Sequence, residues 1–111
     1  MKKPNFFIVG APKCGTHAMY TFLKAHPEIF MPERKEFQYF ATDLVRGTQY
    51  ELSEEEYLSY FRIAKDEKRL GEASTWYLYS KKAASNIKKF NPHAKIIVML
   101  RHPIEMMYSY W

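Results

Sequence analysis

The chain lacks the means to staple itself covalently. It has one cysteine, Cys14, in 111 residues, so no intrachain disulfide can form. That excludes a disulfide-built secreted scaffold and fits a reducing compartment. Long apolar runs are also missing. The basic pair Lys2-Lys3 is followed by an apolar run of only Phe6 to Val9 before a glycine. This is too short for a signal-peptide core or a membrane-crossing helix, and a soluble, cytoplasmic protein with no membrane span is the expectation. Acidic charge is the minority sign: 12 Asp and Glu against 17 Lys and Arg leave a net charge of +5. A basic balance favours anionic partners without choosing among nucleotides, sulfated or phosphorylated substrates, nucleic acid and acidic membrane surfaces. There is no internal repeat, no low-complexity segment and no signature of a nucleic-acid-binding module. No second histidine, cysteine or carboxylate stands at metal-ligand spacing from His17 or His102, so no metal is expected.

What is present suits one small folded domain over residues 1–111: 47% of residues are hydrophobic and 17% aromatic, well outside the composition of a disordered chain. Glycine is scarce, and two of the four glycines, Gly10 and Gly15, bound one loop. That loop organises the sequence. The apolar run Phe6-Phe7-Ile8-Val9 reads as a buried parallel strand, and Thr16 to Ala25 reads as a helix with Ala18, Met19, Phe22 and Leu23 facing inward. His26-Pro27 ends that helix, because a residue before proline is pushed out of the helical region. Strand, glycine turn and helix make the first half of a βαβ unit. The turn aims backbone N–H groups and a helix N-terminus at one point, which suits a phosphate or a sulfate.

Further along, residues 27–50 show no clean period and read as a long ordered connection. Ser53 and Glu56 form a capping box before a helix with Tyr57, Leu58, Phe61 and Ile63 or Ala64 inward. Leu70 to Ser74 reads as a short second strand. Ser80 is expected to cap a third helix reaching Phe90, with Ala83, Ala84, Ile87 and Phe90 inward. Lys95 to Leu100 is a β-branched, apolar strand, and Pro103 suits the first position of a closing helix. Alternating strands and helices predict an α/β fold of three layers around a parallel sheet. Ligands in such sheets sit at the carboxyl ends of the strands, where Gly10, Ser74 and Arg101 fall.

The loop Gly10-Ala11-Pro12-Lys13-Cys14-Gly15-Thr16 has the glycine spacing of a triphosphate-binding P-loop but not its lysine. That loop carries lysine directly after the second glycine, and here residue 16 is threonine while Lys13 lies inside the loop. A standard ATPase or kinase is disfavoured. Cys14 in an anion loop also suggests phosphatase chemistry, but residue 20 is tyrosine where that chemistry needs arginine, so Cys14 is not read as a nucleophile.

Pro12-Lys13-Cys14-Gly15-Thr16 after an apolar strand resembles the 5′-phosphosulfate loop of the sulfotransferases that use 3′-phosphoadenosine 5′-phosphosulfate (PAPS). A second signature agrees: the strand Lys95 to Leu100 runs into Arg101, and Ser109 stands eight residues later, as in the family's 3′-phosphate motif. A guanidinium forks onto a phosphate with two parallel hydrogen bonds, which suits Arg101 to that task. Lys35-Glu36-Phe37-Gln38-Tyr39-Phe40 is similar to the Lys-Glu-x-His-Phe-Phe stretch of the carbohydrate and heparan-sulfate-like branch and its bacterial relatives, with Gln38 in place of histidine. Gly71-Glu72-Ala73-Ser74-Thr75-Trp76-Tyr77 is similar to the family's Gly-Glu-Lys-Ser-Pro-x-Tyr, with Ala73 in place of lysine.

The resemblance implies a P-loop-like fold, transfer of a sulfuryl group from PAPS to an acceptor hydroxyl or amine, carbohydrate acceptors among them, and no metal. It implies that Lys13 and Glu36 are catalytic, Lys13 stabilising the leaving charge and Glu36 taking the acceptor proton. Lys13, Cys14, Gly15, Thr16, His17 and Ser74 are expected on the 5′-phosphosulfate side, in loop 10–17 and beside it. Arg101 and Ser109, in the motif at 95–109, are expected on the 3′-phosphate. The family domain is more than twice this length, so the chain reads as its N-terminal part, apparently truncated. An incomplete nucleotide-binding module or partner subunit is the alternative, and a P-loop NTPase relative a weaker one. An unfinished sheet edge would favour self-association.

Overall fold

The first strand forms where the sequence is most continuously apolar. β1 (Phe6–Gly10) is buried along its whole length. Its side chains alternate between two cores, as a period of two requires. Phe7 and Val9 join Phe37, Phe40, Tyr57, Phe61 and Ile87 on one face, while Phe6 and Ile8 join Tyr20, Met31 and Ala73 on the other. The computed structural model describes residues 2–11, 14–45, 47–48 and 51–100.

Around β1 the described residues build a parallel four-stranded sheet in the order β2-β3-β1-β4. β2 is Ile29–Phe30, β3 is Arg69–Ala73 and β4 is Lys95–Val98. Phe6, Phe7 and Ile8 pair with Gly71, Glu72 and Ala73 on one side and with Lys95, Ile96 and Ile97 on the other. The expected three strands are all present, and β2 adds a fourth. Two residues are too few to carry a readable period, which is why 27–50 read only as a connection.

Four helices complete the described fold: α1 (Thr16–Lys24), α2 (Thr42–Val45), α3 (Glu54–Ser59) and α4 (Ala83–Phe90). α3 begins with the expected capping box. The Ser53 hydroxyl accepts the Glu56 N–H at 3.1 Å and the Glu56 carboxylate accepts the Ser53 N–H at 3.0 Å, an arrangement that contributes about 1 kcal/mol. Tyr57, Leu58, Phe61 and Ala64 face the core, whereas Ile63 is exposed. Ser80 serves α4 from three residues ahead: its hydroxyl accepts the N–H groups of Lys82 and Ala83. Ala84 faces outward on that helix.

α1 corrects the expected inward stripe. Thr16 and Tyr20 are its buried residues, with Met19 and Leu23 partly buried. Ala18 and Phe22 face outward, Phe22 being 75% exposed. The rotation has a polar cause. The Tyr20 hydroxyl donates to the Pro32 carbonyl at 2.5 Å, with the Glu33 carbonyl 3.2 Å away, so the tyrosine takes the inward face and turns Phe22 out.

Candidate active site

Three sequence-distant segments meet at the carboxyl ends of β1 and β3. The chain leaves β1 at Gly10, whose φ of 153° and whose surroundings both favour glycine: a Cβ there would lie 3.0 Å from the Thr75 carbonyl oxygen and from Leu78 Cβ. The segment after β3 is thereby held against the strand end, with Ser74 N–H on the Ile8 carbonyl and Leu78 N–H on the Val9 carbonyl, each at 3.0 Å.

The loop re-enters a helix at Gly15, which caps α1 from the left-handed region at φ 80°. Gly15 offers no side chain to the first turn, and that turn contains no acidic residue. The positive end of the helix therefore has no carboxylate of its own first turn to neutralise it. Cys14 and Thr16 are buried at this turn, and His17 is exposed. The Lys35 ammonium reaches the His17 Nδ1 atom and lies 5.5 Å from the Tyr20 ring centre. Lysine 35 thus brings a cation to the helix start.

Residues 35–41 cross the end of β3. Glu36 and Gln38 have φ of 60° and 56°, a left-handed conformation that costs side-chain-bearing residues about 1 kcal/mol or more each. Neighbouring groups fix the turn. Glu36 N–H donates to the Ala73 carbonyl at 2.7 Å, and Gln38 N–H donates to the Ser74 hydroxyl at 3.0 Å. The partly buried Glu36 carboxylate accepts from the Thr75 N–H at 3.1 Å, the Thr75 hydroxyl at 3.0 Å and the Gln38 amide nitrogen at 2.6 Å. Gln38 is 5% exposed, and its Oε1 atom has no hydrogen-bond partner among the described residues. A buried acceptor of this kind is expensive unless a donor reaches it.

Beneath this turn lies Glu72, fully buried on β3. Its carboxylate accepts from the Ser74 hydroxyl at 2.5 Å, the Tyr77 hydroxyl at 3.0 Å and the Tyr57 hydroxyl. Burial pushes the Glu72 pKa up from 4.5 to about 7; the three hydroxyls pull it down and the nearby Glu36 charge adds to the rise. Burial, then the Glu72 charge, holds the Tyr57 and Tyr77 hydroxyls well above the usual phenol value.

A model of the sulfotransferase domain matches residues 3–111. This chain belongs to the sulfotransferase family. A sulfotransferase from Alicyclobacillus acidocaldarius, known from its crystal structure, superposes with a TM-score of 0.89 at 35% identity, covering 98% of this chain and 49% of that one. Among curated sulfotransferases, the membrane-associated sulfotransferase kil1 of Dictyostelium discoideum is 32% identical over 107 residues, 96% of this chain and 22% of its own length. The mouse bifunctional heparan sulfate N-deacetylase/N-sulfotransferase 4 is 33% identical over 114 residues, 97% of this chain and 13% of its own. The chain thus spans about half of its structural relative and a smaller share of these two enzymes.

Of the residues singled out from the sequence, Cys14, Gly15, Thr16 and His17 lie at the start of α1, and Glu36 and Ser74 lie at the end of β3. Lys13, Arg101 and Ser109 lie outside the described residues. Sequence reasoning placed Thr75 beside Ser74 at the strand end, facing a ligand, and passed over Lys35 and Glu72. Lys35 and Glu72 stood inside the quoted motifs without a role. A charged residue in a short strand between Leu70 and Ala73 was the available signal for Glu72.

Proposed function

We propose that this sulfotransferase-family chain holds PAPS at the start of α1 and removes the acceptor's proton with Glu36. The observation that carries the reading is the convergence of an uncapped, acid-free helix N-terminus with a fixed carboxylate at the strand ends. The residues present fit a donor of this chemistry. The helix start and the Lys35 ammonium favour an anion.

In this reading the N–H groups of Gly15, Thr16 and His17 and the Thr16 hydroxyl bind the 5′-phosphosulfate, with Cys14 in the same loop and Ser74 alongside. Lys13 neutralises negative charge on the leaving side. Arg101 and Ser109 bind the 3′-phosphate and so select PAPS over ATP. When bound, PAPS supplies an activated sulfuryl group. Glu36 accepts the proton of the acceptor hydroxyl or amine; Thr75 and the Gln38 amide keep its carboxylate aimed. Positioning and charge neutralisation supply the rate, as in other in-line group transfers. The relative named for heparan sulfate supports a carbohydrate acceptor.

The test is a sulfate-transfer assay with PAPS on a panel of carbohydrate hydroxyl and amine acceptors. Glu36→Gln should abolish transfer while leaving binding of the desulfated donor unchanged, and Lys13→Ala should abolish transfer with some binding retained. Full activity in either variant overturns its assignment. Donor binding without transfer by the unaltered chain would make it a nucleotide-binding module that needs further sequence for turnover.

A further inference from the structure

The buried Glu72 carboxylate takes no part in the scheme above, yet it organises more hydroxyls than any other described side chain. Two of its three donors have a second duty. The Ser74 hydroxyl gives its proton to Glu72 and accepts the Gln38 N–H at 3.0 Å. The Tyr77 hydroxyl gives its proton to Glu72 and accepts the Phe40 N–H at 3.3 Å. A hydroxyl has one proton, and the ionised carboxylate, the form Glu72 takes above about pH 7, can only accept. Glu72 therefore sets the direction of both hydrogen bonds, and two N–H groups of the turn at 36–40 hang from lone pairs that it keeps free.

We propose that Glu72 is the positioning residue for the proton-accepting turn: by drawing the Ser74 and Tyr77 protons onto itself, it holds Gln38 and Phe40 and so keeps Glu36 in its left-handed conformation against Thr75. The proposal rests on the reading of Glu36 as the base. A buried carboxylate is costly, and an apolar side chain of similar size in its place would commonly stabilise a fold as well or better. The turn it holds contains two residues at positive φ, a conformation that persists only where the surroundings over-determine it. Placing an amide at this position shows what is at stake. A Gln NH2 facing Ser74 would donate to the hydroxyl and turn the serine proton towards the Gln38 N–H, setting donor against donor.

The test is amide hydrogen exchange, by NMR, on the chain and its Glu72→Gln variant above pH 7, where Glu72 is ionised. The Gln38 or the Phe40 amide, whichever hangs from the hydroxyl that meets the new NH2, should lose about tenfold in protection or more, while the Leu78 amide, bonded to β1, keeps its own. In the transfer assay the same variant should lower kcat by about tenfold or more with the KM for PAPS unchanged. Unchanged Gln38 and Phe40 protection overturns the proposal, as does an equal loss at all three amides, which would mark a merely structural role. If Glu72→Gln does not fold, Tyr77→Phe decides: loss confined to Phe40 supports the coupling, and no loss at Phe40 overturns it. The exchange result stands whether or not Glu36 is the base; full activity in Glu36→Gln would sink that reading alone.

Discussion

Glu72 makes stability depend on pH in a direction opposite to that of most carboxylates. Its folded-state pKa, about 7, lies above its ordinary value of 4.5 because burial disfavours the charge. Between those two values the native state holds a proton that the unfolded chain has released. Stability therefore falls as pH rises through this window, with a slope near 1.4 kcal/mol per pH unit, and levels off above about 7. Over the interval from 4.5 to about 7 the loss comes to about 3 kcal/mol, most of it between pH 5 and 8. Urea unfolding of the wild type and of Glu72→Gln at several pH values in that range isolates the effect, because every other titrating group is common to both. The wild type should lose about 2–3 kcal/mol relative to the variant from pH 5 to pH 8. Parallel stability curves would refute the argument that Glu72 is buried and titrates near neutrality.

Other consequences are as concrete. Gly71→Ala would place a Cβ 2.1 Å from the buried Phe6 ring and should destabilise the fold by about 1–3 kcal/mol in denaturant unfolding. Phe7→Ala, which empties a fully buried position on the central strand, should cost about 3–5 kcal/mol by the same measurement. Ser53→Ala removes one arm of the capping box on α3 and should lower stability by about 1 kcal/mol. Asp43 and Glu56 run opposite to Glu72. The Ser80 hydroxyl and Lys81 N–H lower the Asp43 pKa, and the Ser53 N–H lowers that of Glu56. Their small contributions are present above the ordinary carboxylate pKa and fade as pH falls below it, so Asp43→Asn should flatten the acid limb of a thermal-melt series.

The central strand, its two neighbours and the α3 capping box were legible because each rests on a local rule: an unbroken apolar run, or a serine three residues before a glutamate. The face that α1 buries was not. Periodicity weighs Phe22 above Tyr20, but the tyrosine hydroxyl finds the Pro32 carbonyl, and a partner twelve residues away is invisible to a helical wheel. β2 and α2 are too short to carry a pattern. At the site, the motifs located Glu36, Ser74 and the start of α1. They gave no sign that Glu36 and Gln38 sit at positive φ, or that Glu72 underlies both. Those features arise from α3, β3 and the turn at 36–40 packing together, and each segment alone reads as ordinary.

The claim that the loop after β1 and Arg101 serve a 3′-phosphorylated sulfate donor meets its most direct test in calorimetric titration. The chain should bind 3′-phosphoadenosine 5′-phosphate much more tightly than adenosine 5′-phosphate or ATP, and Arg101→Ala should erase that preference. Equal affinity for all three nucleotides, or tighter binding of ATP, would contradict it.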